Sequence, residues 1–352
     1  MRIIHLLQSS QFSGAENVVC QIINMMEQND NIEMAYCSRD GKIREALVER
    51  NILFFPISNL TVKEVKKIIK EYNPDIIHAH DMRASFVAIR ASKKIPVISH
   101  IHNNSFASRG ISLKSVAFLY AAMFSKKIFW VSDSAFNGYV FRKLINKKSE
   151  VLYNILDIEK LKLKMNKDKQ SYQYDIVYLG RLTIPKNPHR LLTVLKKIID
   201  KNPNIRIAII GTGELEKEVH EEAAMLNIES NVDFLGFLSN PYKILHDAKV
   251  MLMTSLWEGT PMCVLEAMSL GVPVVSTPTD GVSAVVMDGE TGYLTDDDEE
   301  LASNCLAIVD SDELHDSMSR KSIIRAEKLL DKIYYKKRLL EAYNICVQEK
   351  RV

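Results

Sequence analysis

The chain has 352 residues, with 46 Lys and Arg against 44 Asp and Glu, 47% hydrophobic and 26% charged. That is enough chain for roughly two domains with cores of their own, and the composition excludes a disordered or low-complexity protein. The five cysteines (Cys20, Cys37, Cys263, Cys305 and Cys346) are scattered, odd in number and without a CxxC spacing, which argues against a disulfide framework or structural zinc and fits a reducing compartment.

Met1 leads directly into a strand-like run, RIIHLL, with no secretory leader pattern, and no apolar stretch approaches the span of a bilayer; the expectation is a cytoplasmic protein. Further strands are predicted at IEMAYCS, ILFFPI, DIIHAH, VISHIH, KIFWVS and SEVLYN. Helical patterns lie between them, as from Glu16 to Gln28, where apolar residues recur every three or four positions. A polar, lysine-rich segment from Lys160 to Gln173 reads as a domain boundary. A second series follows: YDIVYLG, IRIAIIG, VDFLGF, KVMLMTS, PVVSTP and GYLTD, and then a strongly helical end. Short strands alternating with helices predict parallel α/β sheets. The expected organisation is two doubly wound, Rossmann-like domains, 1–165 and 166–332, facing a central cleft, with a last helix, 333–352, packing back toward the first. Ligand sites then fall at the carboxyl ends of the strands.

Charge is uneven along the chain. Residues 1–165 hold 24 Lys and Arg against 15 Asp and Glu; the remainder hold 22 against 29. A basic half attracts anions, whether phosphate, nucleic acid or an acidic membrane, although a solvated surface accounts for it as well. No nucleic-acid motif or aromatic–basic interleaving accompanies it.

Three segments of the second half carry chemistry. In YLGRLTIPKNPHRLL a strand runs into Gly180, where backbone and ligand can approach closely, and Arg181 and Lys186 follow in a loop before a helix. A planar guanidinium fork and a flexible ammonium together suit a diphosphate. In IIGTGEL, Gly211 and Gly213 form a strand-to-helix turn near a nucleotide or simply a tight turn; there is neither a third dinucleotide-type glycine nor a P-loop lysine. In WEGTPMCVLEAMSLGVPVV, Thr260 is predicted as N-cap and Pro261 as the first residue of a helix that Gly271 ends. Its start, Gly259, Thr260, Pro261, Met262 and Cys263, offers backbone N–H groups at a positive dipole end, which favours phosphate. Glu258 precedes that start, and Glu266 lies inside the helix among apolar neighbours; both carboxylates can accept from vicinal hydroxyls.

The stretch from Glu258 to Glu266 resembles the E-x7-E motif of glycosyltransferase family 4, the retaining GT-B transferases. GRLTIPKN, GTGEL and TDGVSAVVMDGETGYL are similar to further segments of that family. So, more loosely, are SGAEN, PDIIHAHD, PVISHIHN and VLYNILDIEKL in the first half. The resemblance spans nearly the whole chain. It implies an acceptor-binding first domain and a second domain that binds a nucleotide sugar, with a UDP-sugar expected. It also implies retention at the anomeric carbon and independence of metal and cofactor. Arg181 and Lys186 would hold the donor diphosphate, Glu266 the ribose, and Glu258 and His102 the reacting sugar, while Gly14 would let its loop approach the phosphates. Two positions depart from the family pattern: Ala284 stands where an acidic residue is common, and Ser13-Gly14 where a glycine pair is.

His78 and His80, and His100 and His102, are i, i+2 pairs that each share a strand face, but no carboxylate or cysteine framework for a metal accompanies them. TDDDEE, from Thr295 to Glu300, reads as a helix cap rather than a metal motif. The segment from Ser108 to Trp130 holds an apolar helix flanked by Arg109, Lys114, Lys126 and Lys127, read as a core helix or as a patch resting on an anionic membrane. Relatives that extend sugar chains on polyprenyl-diphosphate lipids make a saccharide or lipid-linked acceptor, and a place on the inner face of the plasma membrane in bacterial surface-polysaccharide assembly, the expectation. The rival readings are a GT-B nucleotide-sugar epimerase, for which acid–base carboxylates are not evident, and a non-catalytic nucleotide- or glycan-binding protein.

Overall fold

The computed structural model describes all residues except 13, 28–30, 93, 103–107, 260 and 349–352. The chain divides into two compact units, Met1–Ile155 with Leu330–Val352, and Leu156–Leu329.

In the first unit seven parallel strands, β1 (Arg2–Leu6), β2 (Glu33–Arg39), β3 (Leu53–Ile57), β4 (Ile76–His80), β5 (Val97–Ile101), β6 (Lys127–Trp130) and β7 (Ser149–Val151), are ordered β3-β2-β1-β4-β5-β6-β7. In the second, β8 (Ile176–Leu179), β9 (Ile207–Ile210), β10 (Val232–Gly236), β11 (Val250–Met253), β12 (Val274–Ser276) and β13 (Gly292–Leu294) are ordered β10-β9-β8-β11-β12-β13, again all parallel. Runs such as β4 and β11 are apolar or ring-bearing throughout and fully buried, because helices cover both faces of a parallel sheet. Each sheet is doubly wound. Its order reverses beside the first strand, between β1 and β4 and between β8 and β11, and that crevice is where such sheets place ligands.

All thirteen predicted strands form. The helix expected from Glu16 spans Gly14–Met26; Gln28, its expected end, lies outside the described residues. The boundary is corrected. The lysine-rich segment taken as a linker is mostly a helix, Ile158–Lys167, whose N-cap Asp157 accepts the Lys160 N–H at 3.0 Å and whose Leu161 is buried. Residues 156–165 therefore belong to the second unit: the lysines are the wet face of an amphipathic helix packed beside the helices Tyr242–Asp247 and Met262–Ser269.

The chain returns to the first unit through the helix Lys332–Gln348, which packs on the helix Gly14–Met26 and on β4. Arg338 grips Glu150 of β7 through Nε and Nη2 at 2.6 and 2.7 Å, with Lys127 on the same carboxylate at 2.6 Å. Tyr343, fully buried, meets His78 Nδ1 at 2.9 Å. In TDDDEE, Asp297 caps the helix Asp298–Asp310 by accepting from Glu299 and Glu300 N–H, a structural use of those carboxylates.

Candidate functional site

The second unit concentrates the predicted residues at its strand-order reversal. After β8 the chain turns at Gly180, passes Arg181, and makes a short 3₁₀ turn, Ile184–Lys186, closed by Asn187 at φ 51°. After β11 it enters the loop carrying Glu258. The two loops are laced together. Leu256 N–H donates to Pro185 O at 2.9 Å and Thr254 Oγ1 to Asn187 O at 3.0 Å. Thr277 Oγ1, after β12, donates to Ser255 O at 2.7 Å. Lys186 and Glu258, 72 residues apart, form an ion pair that is mostly buried, and Ser255 Oγ donates to the same Glu258 oxygen at 2.7 Å. Burial opposes the charge on Lys186, yet the acidic groups beside it hold its pKa above the usual lysine value. Arg181 is exposed at the rim, and its guanidinium has no hydrogen-bond or ion-pair partner among the described residues.

The glycines of this region answer to backbone packing. A Cβ on Gly211 would lie 1.9 Å from Gly180 O, one on Gly213 2.1 Å from Leu182 O, and one on Gly281 2.0 Å from Gly259 O. The Gly180–Leu182 loop is bonded to the Gly211–Leu215 loop through Gly180 N–H to Ile210 O and Leu182 N–H to Thr212 O, both at 3.0 Å. Gly180 itself stands over Tyr178, whose hydroxyl would be 2.9 Å from an added Cβ.

The helix after Glu258 begins one residue later than predicted, at Met262. Pro261, expected inside it, is the N-cap with extended ψ 101°, and its carbonyl accepts from Val264 at 3.1 Å. A proline has no N–H to spend in either position, so the sequence does not separate them. Thr260 lies outside the described residues. Among the described residues no side chain caps this start, and first-turn N–H groups lie at the dipole's positive end beside Lys186 and Arg181. Cys263, pushed up to about 12 by burial, is a neutral thiol there. Glu266, partly buried on the same helix, is raised to about 7 by desolvation, against the opposing influence of Tyr242, whose hydroxyl donates to it at 3.4 Å, and of Lys164. Ala284 follows the short helix Asp280–Ser283, and its carbonyl accepts from Arg325 at 3.0 Å.

In the first unit Gly14 opens the helix after β1, exposed; Ser13 is outside the described residues. His102 follows β5, buried, its backbone N–H donating to Asp81 Oδ1 at 2.9 Å; Asp81 stands after β4 at φ 72°, a conformation few residues other than glycine adopt. The predicted pairs His78–His80 and His100–His102 join His5 of β1 on one sheet face, five buried rings with centroids of neighbouring pairs 4.4–5.5 Å apart. No local pattern marks His5, which stands alone in its strand; register places it opposite His78, as His80 stands opposite His100. Two triads, His5–His78–His80 and His80–His100–His102, are close enough to be weighed as metal ligands. Neighbouring ring planes are inclined by 11–35°, and two nitrogen pairs come within hydrogen-bond distance, His5 Nδ1 with His80 Nε2 at 2.9 Å and His80 Nδ1 with His102 Nε2 at 2.8 Å.

Two family models divide the chain between them. The model for Glycosyltransferase Family 4 matches residues 12–160, and that for Glycosyl transferases group 1 matches residues 159–325. The chain belongs to the family 4 glycosyltransferases. A glycosyltransferase of Methanocaldococcus jannaschii is 29% identical over 65% of this chain and 62% of its own length. The UDP-Gal:α-D-GlcNAc-diphosphoundecaprenol α-1,3-galactosyltransferase of Escherichia coli is 24% identical over 91% of this chain and 90% of its own. Among solved structures, HepE of Anabaena in complex with UDP superposes with a TM-score of 0.85 at 22% identity, covering 98% of this chain and 100% of that one. The fold is therefore GT-B. In this chain Lys186 and Glu258 pair across the loops after β8 and β11, Arg181 precedes Lys186 on the first of those loops, and Glu266 lies on the helix that follows the second.

Proposed function

We propose that this family 4 glycosyltransferase moves a sugar from a UDP-sugar to a hydroxyl of a saccharide or lipid-linked saccharide, with retention, in the assembly of a bacterial surface polysaccharide. The observation that carries the reading is the buried Lys186–Glu258 pair beside the start of the helix Met262–Ser269, with Arg181 at its rim. A diphosphate meets a guanidinium, an ammonium and first-turn N–H groups there. As the sugar–phosphate bond lengthens, charge gathers on the diphosphate, and these groups, fixed beforehand, stabilise it. Glu266 accepts from the ribose hydroxyls and Glu258 from hydroxyls of the sugar. His102, in the first unit, contacts the hydroxyl of the acceptor. The acceptor oxygen attacks from the side that the diphosphate leaves and gives its proton to the departing phosphate oxygen, so no carboxylate serves as a covalent nucleophile. Relatives support the substrate class: the Escherichia coli protein is named for UDP-galactose and a diphosphoundecaprenol acceptor, a Staphylococcus aureus relative for capsular polysaccharide biosynthesis, and HepE was also solved with UDP-glucose. Calorimetry with a panel of UDP-, GDP- and ADP-sugars tests it. One UDP-sugar should bind, and Arg181→Ala should weaken it at least tenfold; binding of GDP- or ADP-sugars alone, or of none, rejects the donor assignment.

The place of work is read from the helix Leu113–Phe124. Among the described residues no helix is long and apolar enough to cross a membrane. Yet Leu113 (89% exposed), Val116, Tyr120, Met123 and Phe124 form an exposed apolar stripe, with Leu144 on an adjoining helix, and Lys114, Lys126, Lys143 and Lys147 rim it. Such a face suits the surface of an anionic bilayer. Co-sedimentation with phosphatidylglycerol vesicles at low salt, lost in a Leu113→Glu, Met123→Glu variant and absent with phosphatidylcholine, is the expected result; a wild type that stays in the supernatant with both lipids removes the membrane from the proposal.

A further inference from the structure

The histidines of the first unit form a chain whose two ends are decided together. His5 Nδ1 meets His80 Nε2 at 2.9 Å, and His80 Nδ1 meets His102 Nε2 at 2.8 Å. All three rings are buried, and burial holds each neutral; His102 falls to about 4 even though Glu16 and Asn154 pull the other way. A neutral imidazole carries one N–H and one bare nitrogen. Three protons therefore serve two bonds, and only two arrangements complete both. In the first, each ring is protonated on Nδ1: His5 donates to His80, His80 donates to His102, and the remaining N–H is His102 Nδ1–H. In the second, each ring is protonated on Nε2, both bonds reverse, and the remaining N–H is His5 Nε2–H.

The two ends differ. Neither His5 Nε2 nor His102 Nδ1 has a hydrogen-bond partner among the described residues, so either arrangement leaves one buried N–H to place, a costly orphan in folded proteins, and what decides is the acceptor that stands alongside. The His102 ring stands beside Asn154, whose Oδ1 is itself buried and unpartnered. An N–H on the open nitrogen of His102 offers that oxygen a donor; a bare nitrogen there sets two lone pairs together. The Asp81 carboxylate holds the backbone of His102 in place meanwhile.

We propose that His80, oriented by His5, is a positioning residue that fixes His102 as the Nδ1–H tautomer. Given the transfer proposed above, His102 then presents a hydrogen-bond donor, and no base, to the hydroxyl of the acceptor. This consequence rests on that reading, whereas the tautomer does not.

The test is histidine side-chain ¹⁵N–¹H correlation NMR on the full chain at pH 7.5, alongside steady-state kinetics. His5, His80 and His102 should each show the Nδ1–H pattern. His80→Leu removes the donor to His102 Nε2. His102 should then lose its single tautomer, and kcat should fall about tenfold, the scale of one lost hydrogen bond in the transition state, while UDP affinity stays unchanged. His80→Asn, whose amide N–H can still reach His102, should restore most of both. An Nε2–H pattern on His102 in the wild-type chain overturns the proposal, and this spectrum decides even where a variant fails to fold. So does a folded His80→Leu protein with an unaltered His102 spectrum and kcat. An Nδ1–H His102 in a protein that transfers from no donor sustains the tautomer and rejects the transfer reading instead.

Discussion

At the scale of single residues the site is governed by what burial does to charge. Lys186 and Glu258 are each largely removed from water and answer to one another. Losing one partner leaves the other a nearly isolated buried charge. Lys186→Met is expected to destabilise the chain by roughly 2–4 kcal/mol, measured by denaturant unfolding, and Lys186→Met with Glu258→Gln should recover most of that loss without recovering nucleotide-sugar binding. Glu266 gives the opposite case, a carboxyl raised to about 7 chiefly by desolvation. Its folded-state pKa lies above its unfolded value, so its contribution to stability is complete below the ordinary carboxylate range and is lost as pH rises through about 7. Stability should thus fall from pH 5 to pH 8 by about 2 kcal/mol from this group, after allowing for its partial exposure, and Glu266→Gln should flatten that slope. Ribose hydroxyls favour the charged carboxylate, so UDP binding should strengthen from pH 6 to pH 8 and release a proton near pH 7. Calorimetry in two buffers of different ionisation enthalpy measures that release; its persistence in Glu266→Gln would assign it elsewhere. Glu266 was legible in sequence as a charge in an apolar run. Its partner Tyr242, 24 residues upstream, was not, because no local pattern ties a helix to the one before it.

At the scale of elements, loops are held by loops. Gly211 and Gly213 stand where the β9 loop crosses the β8 loop with no room for a Cβ. Gly213→Ala must push Leu182 O and with it the segment leading to Arg181 and Lys186. A loss of 2 kcal/mol or more in stability, of the size expected for overpacking against backbone, together with weaker donor binding, should appear in thermal unfolding and calorimetry; an alanine tolerated without either would mean that the two loops move independently. The sequence marked these glycines as a turn and left open whether a ligand or protein was the close neighbour. It also read the helix Ile158–Lys167 as a linker. Lysines dominate that segment, and the one fully buried apolar side chain, Leu161, is too little for periodicity to reveal.

At the scale of the whole molecule, each sheet follows from parallel strands joined through helices, and the last helix completes the first sheet's unit although it comes from the far end of the chain. Ending the chain after Leu329 should uncover β4, the helix Gly14–Met26 and the His78 ring where Tyr343 packs. The expected result is loss of protease resistance in residues 1–155 with the second unit still protected, followed by limited proteolysis and mass spectrometry. Equal protection of both units would show that the helix Lys332–Gln348 is dispensable to the first.

Strand positions, the parallel α/β class and the family were determined by the sequence, because each is written locally: buried parallel strands are short apolar runs, and the segment from Glu258 to Glu266 lies on one loop and one helix. Three matters waited for the tertiary structure. Lys186 pairs with Glu258 across 72 residues, Arg338 with Glu150 across 188, and His5 enters the histidine chain only through the register of β1 on β4. Each is a contact between distant parts of the chain, and whether two such groups meet is set by strand order and register, which no single segment contains.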